Sequence, residues 1–259
     1  MNTRFAVGDD PYIATTTVTS FRIVDALRRH RGATVAELVD ELDLASGTVY
    51  KHLNTLRTIQ YVAKEGDEYR LGLGFLQLGL TARSQTGLYE LTYGTLADLS
   101  ESTGSVTRLT VPEHGYGVHL LQIVPPGAEP PPQREGDRVH LHASAAGKAI
   151  LAYQPEDVVE SWLADRDLPA VTDATITDPD RLRAELSSTR DRRTARSGGE
   201  EAEGWRSVAT PITDVDDEAI GAVSVIEPDT GSGKATEMAN ARNLLGSVAS
   251  AIENKVRMR

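Results

Sequence analysis

Residues 46–57 combine an apolar stripe with polar side chains that can hydrogen-bond to nucleic acid. Val49, Leu53 and Leu56 recur at i, i+4 and i+7, a spacing that predicts a helix with one buried face. The side chains off that stripe are small, polar or basic: Ser46, Gly47, Thr48, Tyr50, Lys51, Asn54 and Arg57. Hydroxyls, amides and cations of this kind contact base edges and phosphates when a helix enters the major groove. The alternative is a helical bundle whose polar face is only solvated.

Two earlier helices are predicted to cover the apolar stripe. The first spans 18–30, and Thr19 or Ser20 can cap its start. Its expected core positions are Phe21, Ile23, Val24 and Leu27. The second runs from Thr34 or Val35 to Leu42, and Thr34 with Glu37 three residues on forms a capping box. A turn at 43–46 precedes the third helix, which should end near Ile59, so the order is that of a helix-turn-helix.

The next segment, YVAKEGDEYRLG, predicts a β-hairpin, because two short alternating runs flank Glu65-Gly66-Asp67. A hairpin directly after a helix-turn-helix is a wing, and its Lys64 can neutralise an adjacent backbone phosphate. Residues 73–100 return to helical spacing with a break at 84–87. We expect a pair of connecting helices there.

The rest of the chain mixes strands with helices. Two strands should flank the turn Glu113-His114-Gly115, and the prolines between 125 and 132 require a loop. Further predicted helices are one opening within HASAAGKAILA, Pro155 to Asp165, Pro179 to Arg193 and a terminal one from Lys234 to Val256. Late strands are expected at Trp205 to Pro211 and Ala219 to Ile226. The first dozen residues and 196–204 have the composition of disordered segments.

Composition restricts the function classes. The absence of cysteine excludes disulfides, thiolate catalysis and sulfur-ligated metal sites. The formal charge of -11 argues against wrapping nucleic acid with the whole surface, but the first 72 residues hold nine basic and ten acidic residues and are nearly neutral. The acidic excess with few aromatics suits a haloarchaeal or other high-salt origin. No signal peptide or apolar run long enough for a membrane helix is evident, so we expect a cytoplasmic protein without membrane contact.

Five segments together resemble the IclR family of transcription regulators: TSFRIVDAL, TVAELVDELDLASGTVYKHLNTL, YVAKEGDEYRLG, HLHASAAGKAILA and RSVATPITDVDDEAIGAVSVIEP. The resemblance implies an α+β protein: a winged helix-turn-helix at 15–72, linker helices at 73–100, and a GAF/profilin-like α/β effector-binding domain at 101–259. It also implies a homodimer or a dimer of dimers. The implied partners are double-stranded operator DNA and a small carboxylic or aromatic acid.

The resemblance also implies an effector pocket. It places the pocket's loop and helix start at His142, Ala143, Ser144, Ala146 and Gly147. Free backbone N–H groups at a helix start suit an anionic ligand. Two late strands should contribute Ser207, where the family often has Cys, and Ser224. Ile226 departs from the family's second Ser and favours a less polar ligand.

Each of these positions also has a plain structural interpretation. Ser144 can be only a helix cap, and Lys148 only a solvated charge. Ser207 and Ser224 can be small residues tolerated on strands. The acidic residues at 200–203 are expected in a solvated loop.

The function predicted is a repressor or activator whose operator binding responds to the effector. The alternative is a regulator that binds no ligand and uses its C-terminal domain for dimerisation. An enzyme is disfavoured, because no nucleophile elbow is present and GSGK at 231–234 lacks the rest of a phosphate-binding loop. His140 and His142 have no third metal ligand suggested, so neither a metal nor a cofactor is expected.

Overall fold

The computed structural model describes residues 11–229 and 235–258. The chain divides into two compact units after Gln85, inside the segment 73–100 that we predicted as linker. The start predicted for the terminal helix at Lys234, the GSGK segment and most of the first dozen residues lie outside the described residues.

The first unit combines helices with one small sheet. Its elements are α1 (Thr15–His30), β1 (Ala33–Thr34), α2 (Val35–Leu42), α3 (Ser46–Thr58), β2 (Val62–Glu65), β3 (Glu68–Leu71) and α4 (Gly74–Gln85). The strands pair antiparallel in the order β1-β3-β2. The predicted capping box is present at α2, where Thr34 accepts from the Glu37 amide and the Glu37 carboxylate accepts from the Thr34 amide.

Two expectations about α1 are wrong. The helix begins at Thr15, so Thr19 and Ser20 lie inside it and donate their hydroxyls to the carbonyls of Thr15 and Thr16 instead of capping. Phe21 is 50% exposed, and Ala26 takes the core position beside Ile23 and Leu27. The buried face of α1 therefore runs through Ile23, Ala26 and Leu27, and an alanine on this face lets the neighbouring helices approach more closely than a phenylalanine would.

The second unit packs helices on both faces of one sheet. Its elements are α5 (Leu88–Thr103), β4 (Val106–Glu113), β5 (Tyr116–Ile123), β6 (Arg138–Val139), a 3-10 turn (Leu141–Ala143), α6 (Ala145–Ala152), α7 (Glu156–Ala164), α8 (Pro179–Arg192), β7 (Ala195–Gly198), β8 (Trp205–Thr213), β9 (Ala219–Pro228) and α9 (Ala235–Arg257). The strand order is β6-β5-β4-β9-β8-β7, and every neighbouring pair is antiparallel.

The two faces of this sheet bury different side chains. One face carries Leu109, Val223 and Val225, which pack with residues of α5 and α9. The opposite face carries alanines, Ala195, Ala209 and Ala222, and packs with α6. Small side chains let α6 lie close to the strands. Strand alternation then decides which polar residues share the α6 face.

The prediction of disorder over 196–204 is wrong. Ala195–Gly198 forms β7 and pairs with β8, and Glu200 is buried. Polar composition misled the prediction, because an edge strand needs only one apolar face and buried carboxylates can be balanced by buried cations.

Candidate functional site

Helix α3 presents the predicted polar face to solvent. Val49, Leu53 and Leu56 are buried in the core of the first unit, as their spacing predicts. Thr48 is half-buried, and the other predicted contact residues of α3 are exposed: Ser46, Gly47, Tyr50, Lys51, Asn54 and Arg57. The helix therefore presents a mainly polar face to solvent.

The charge of α3 differs from that of the whole chain. Its 13 residues include no Asp or Glu, although the protein carries 38 acidic residues. The Arg57 guanidinium donates to the Asn54 amide oxygen at 3.1 Å, which orients both side chains. His52 lies behind this face, 2.8 Å from the Ser20 hydroxyl, and burial lowers its pKa. The exposed ionised side chains of α3 are thus basic ones.

The wing also has the predicted form. Strands β2 and β3 flank Gly66, whose positive φ of 59° suits glycine at a tight turn. Lys64 is exposed, with its Nζ 5.3 Å from the centre of the Tyr69 ring. Glu65 and Arg70 form an ion pair at the tip of the hairpin.

The predicted pocket residues 142–147 are buried at the start of α6. Ser144 caps this helix, since its hydroxyl accepts from the Gly147 amide at 3.0 Å. A Cβ on Gly147 would lie 2.2 Å from the Leu141 carbonyl oxygen. The Gly147 amide is therefore not free, and the lack of a side chain is explained by the preceding turn of the same chain.

The strand residues predicted for the pocket do share one face. Ser207 on β8 pairs with Ile226 on β9, and Ser224 pairs with Ala209 on one side and Arg108 on the other. Ser207 and Ile226 line a small cavity of about 10 Å³, enough for roughly one water molecule. The complete lining is Arg108, Pro131, Gln133, Ser197, Glu201, Ala202, Trp205, Arg206, Ser207 and Ile226. Ser224 and residues 142–147 are not part of this lining.

Two arginines line this cavity: Arg206, which forms an ion pair with Glu227, and Arg108, whose side chain is 2% exposed. Arg108 Nε and Nη2 donate to the Gln122 side-chain oxygen at 2.9 and 2.7 Å. Its Nη1 donates to Glu201 Oε1 at 2.9 Å and lies 2.9 Å from His119 Nε2. A buried guanidinium needs such partners, because each unpaired donor would carry a desolvation cost.

The surroundings of Arg108 shift the pKa values of two of its partners, His119 and Glu201. Burial lowers the pKa of His119, which favours its neutral form. Burial acts to raise the pKa of Glu201, but the His119 hydrogen bond and the Arg108 charge lower it overall. Glu201 is therefore an ionised carboxylate bound to a buried guanidinium.

A second ion pair lies beside the first. Lys148 Nζ donates to both oxygens of Glu200, at 2.7 and 2.9 Å, with side-chain exposures of 1% and 10%. The interpretation of Lys148 as a solvated charge and of 200–203 as a solvated loop is wrong for these residues. Two buried cations, from β4 and α6, bind two consecutive carboxylates.

The two histidines that raised the question of a metal lie just before α6. The rings of His140 and His142 lie 5.5 Å apart, and His142 Nε2 is 3.0 Å from the Pro169 carbonyl oxygen. His142 Nδ1 has no hydrogen-bond partner among the described residues. Within the described ranges, no three histidines or carboxylates are grouped to hold a metal ion.

A larger open groove of about 430 Å³ contains none of the predicted site residues. It lies along α5, β4 and the end of α9, and its apolar lining includes Leu88, Leu91, Val111 and Ile220. A second groove, also about 430 Å³, contains Ile226 and the buried Glu227. The small cavity differs from both grooves in that a buried guanidinium lines it, which is the group that suits an acidic ligand.

Sequence reasoning missed Arg108, His119 and Glu201. One signal was available for Arg108: it is the single charged residue inside the apolar strand VTRLTV. A charge within a buried strand needs a partner, and that partner often marks a site. Glu201 follows it by 93 positions, so spacing could not join them.

Comparison with known proteins finds a matching family model for each of the two units. A family model described as "Bacterial transcriptional regulator IclR C-terminal" matches residues 81–254, and one described as "Helix-turn-helix domain" matches residues 19–58. The probable HTH-type transcriptional regulator ArcR of Halobacterium salinarum is 34% identical, with 89% of each chain covered. The HTH-type transcriptional regulator KdgR of Escherichia coli is 29% identical over 75% of this chain and 74% of its own.

Solved structures show the same fold. IclR of Thermotoga maritima is 24% identical and matches with a TM-score of 0.78, covering 94% of this chain and 99% of its own. An IclR homologue of Microbacterium hydrocarbonoxydans, complexed with 4-hydroxybenzoate, is 22% identical and matches with a TM-score of 0.80, covering 94% and 100%. The fold and these relatives define a DNA-binding transcription regulator with a C-terminal effector-binding domain. The chain belongs to the IclR family.

None of the helices in the described part of the chain has the length and apolar character needed to cross a bilayer.

Proposed function

We propose that this chain binds operator DNA through α3 and the wing as a homodimer, and that a small carboxylic or aromatic acid in the cavity beside Arg108 changes that binding. The observation that carries the DNA part is the acid-free, exposed face of α3 in a strongly acidic protein. Such a face attracts phosphates, while the rest of the surface discourages nonspecific binding. A role on DNA also implies a cytoplasmic location.

The contacts divide by chemistry. Lys51 and Arg57 neutralise phosphates, and Lys64 does so from the wing. Thr48 and Asn54 are short enough to read base edges, and Ser46 with Gly47 brings the start of α3 close to the backbone. No side chain caps α3 at Ala45, which leaves amides at the helix start available for a phosphate.

Dimerisation is supported by α4, none of whose residues is buried within the single chain. Leu76 and Leu80 lie four residues apart on this helix and are 57% and 46% exposed; Leu73, just before it, is 83% exposed. An apolar stripe of this kind becomes buried when it packs against a second copy. A dimer would double the phosphate contacts of a domain that has few basic residues.

The effector proposal rests on the cavity. It combines one buried guanidinium with hydroxyl and apolar lining, from Ser197, Ser207 and Ile226. This chemistry suits an acid with an apolar body, and a solved homologue was crystallised with 4-hydroxybenzoate. The cavity is too small for such a ligand in the present conformation, so ligand binding selects a conformation in which it is larger.

The experiment is a DNA-binding titration with the promoter region of the chain's own gene, with and without a panel of small acids. We expect sequence-specific binding that one acid shifts, and the same acid should raise the Tm of the free protein. Specific DNA binding that no acid in the panel changes would favour the ligand-independent regulator. The charge balance further suggests a protein that works at high salt, so the titration should extend to high KCl.

A further inference from the structure

The Glu201 carboxylate occupies the place in the cavity where an acidic ligand would bind. It lies in the lining of the cavity, 2.9 Å from Arg108 Nη1. The same cavity contains the Ser207 side chain and the apolar surface of Ile226. A carboxylate ligand bound to Arg108 would therefore compete with Glu201 for the same guanidinium donor.

The backbone around Glu201 is fixed, because Gln133 Nε2 donates to the Glu201 carbonyl oxygen at 3.2 Å and the Gly199 amide donates to the Trp205 carbonyl oxygen at 2.8 Å, so the freedom to move lies in the Glu201 side chain. The segment that carries Glu201 connects β7 to β8, and Gly199 and Gly204 at its two ends have positive φ values of 79° and 74°. The preceding Glu200 is fixed by Lys148 through two short hydrogen bonds. One carboxylate thus anchors the loop while the next, whose side chain is 15% exposed, borders solvent.

We propose that Glu201 is an internal ligand of Arg108, and that an incoming monocarboxylate displaces it from the guanidinium. This inference rests on the proposed function, since it names the group on the effector that the site recognises. The exchange replaces one carboxylate by another, so Arg108 never becomes an unpaired buried charge. The Glu201 side chain then turns toward solvent, and its position reports the occupancy of the cavity.

The exchange explains why so small a cavity can accept a ligand. Departure of the Glu201 side chain frees the volume of its own carboxylate and methylenes next to Ile226 and Trp205. Because Glu201 is tethered, its effective concentration at Arg108 is in the millimolar range or above. It therefore weakens the apparent affinity for a free carboxylate and sets a threshold concentration for the response.

The test uses acetate and propionate as probes on the full chain, without DNA. Glu201→Ala removes the internal carboxylate, and Glu201→Gln removes only its charge. We expect both variants to gain a saturable rise in Tm with acetate or propionate, at concentrations at least about tenfold lower than any response of the wild type. Trp205 lines the cavity, so its fluorescence at constant temperature provides a second measurement that does not require unfolding.

Three controls isolate the Arg108 site. Glu203→Ala removes an exposed carboxylate from the same loop and should respond as the wild type does. Acetamide, the neutral isostere, should have no effect on the Glu201 variants. Arg108→Met combined with Glu201→Ala should abolish the response to acetate.

The outcomes separate cleanly. Equal acetate responses in the wild type, the Glu203 variant and the Glu201 variants would show a general salt effect and overturn the inference. No response in either Glu201 variant would overturn it as well. Because DNA binding is not part of the assay, failure of the exchange leaves operator binding through α3 and the wing standing, and failure of specific DNA binding leaves the exchange measurable.

Discussion

Replacing Lys148 with Met should leave the carboxylate of Glu200 buried without its cation. Lys148 is 1% exposed, and it donates to Glu200 at 2.7 and 2.9 Å. Met retains most of the apolar stem, so the change removes the charge with little loss of volume. Breaking a buried pair from one side costs about 3–5 kcal/mol, and the 10% exposure of the Glu200 side chain places the expected value at the lower end.

The pH dependence of this cost has a definite sign. Burial already raises the pKa of Glu200, and Lys148 counteracts that rise. In Lys148→Met the folded-state pKa rises further above the unfolded value. A carboxyl with a raised folded-state pKa contributes its full stabilisation below the pKa of Glu200 in the unfolded chain, and this contribution is lost as pH rises through the pKa of Glu200 in the folded chain. The loss in free energy of unfolding caused by Lys148→Met should therefore be largest near neutral pH and should shrink on acidification.

The assay is urea unfolding of the wild type, Lys148→Met, and Lys148→Met with Glu200→Leu, at neutral and acidic pH. The double variant should recover much of the loss, because it no longer buries an unpaired charge. Arg183→Ala, which breaks an exposed ion pair with Glu160, is the matched control and should change stability little. A cost for Lys148→Met below about 1 kcal/mol, the level of an exposed pair, would refute the reasoning.

Three further predictions concern DNA binding, packing and assembly. Lys51→Ala or Arg57→Ala should weaken DNA binding across sequences and lower the slope of log K against log salt by about 0.9 per lost phosphate contact; unchanged slopes would remove these side chains from the interface. Gly147→Ala should destabilise the fold by roughly 3 kcal/mol, because the new Cβ would meet backbone at 2.2 Å. Gly94→Ala, with open space around it in α5, should be neutral or stabilising, and equal effects on Tm would contradict the packing argument. Leu80→Asp should shift the oligomeric state toward monomer in analytical ultracentrifugation, and an unaltered sedimentation profile would exclude α4 as the dimer contact.

The first unit was predictable because its signals are local. The stripe of Val49, Leu53 and Leu56 has helical spacing, and the Thr34 and Glu37 box marks a helix start three residues apart. Both depend on neighbours within one turn. The exposure of the Phe21 side chain was not predicted, because it depends on where the other helices pack against α1.

The effector domain was less predictable because its contacts are distant in sequence. Ser207 and Ile226 are paired across β8 and β9. The sequence pattern of the two strands predicts that these residues lie on the same kind of face, although it does not give their register. The Arg108 and Glu201 pair joins residues 93 positions apart, and Lys148 joins Glu200 across 52. The prediction of a solvated acidic loop was wrong, because the local composition of 200–203 carries no information about the distant cations, Arg108 and Lys148, that bind its carboxylates.

DNA recognition by α3 can be tested by selecting duplexes from a random-sequence DNA pool with the full chain. We expect the wild type to enrich one sequence motif, arranged as an inverted repeat if two copies bind together. Variants with Thr48→Ala or Asn54→Ala should change or lose the motif at the bases those side chains contact, at a cost of about 1–3 kcal/mol per lost base contact. No enriched motif, or the same motif at the same enrichment in the variants, would contradict DNA recognition by α3.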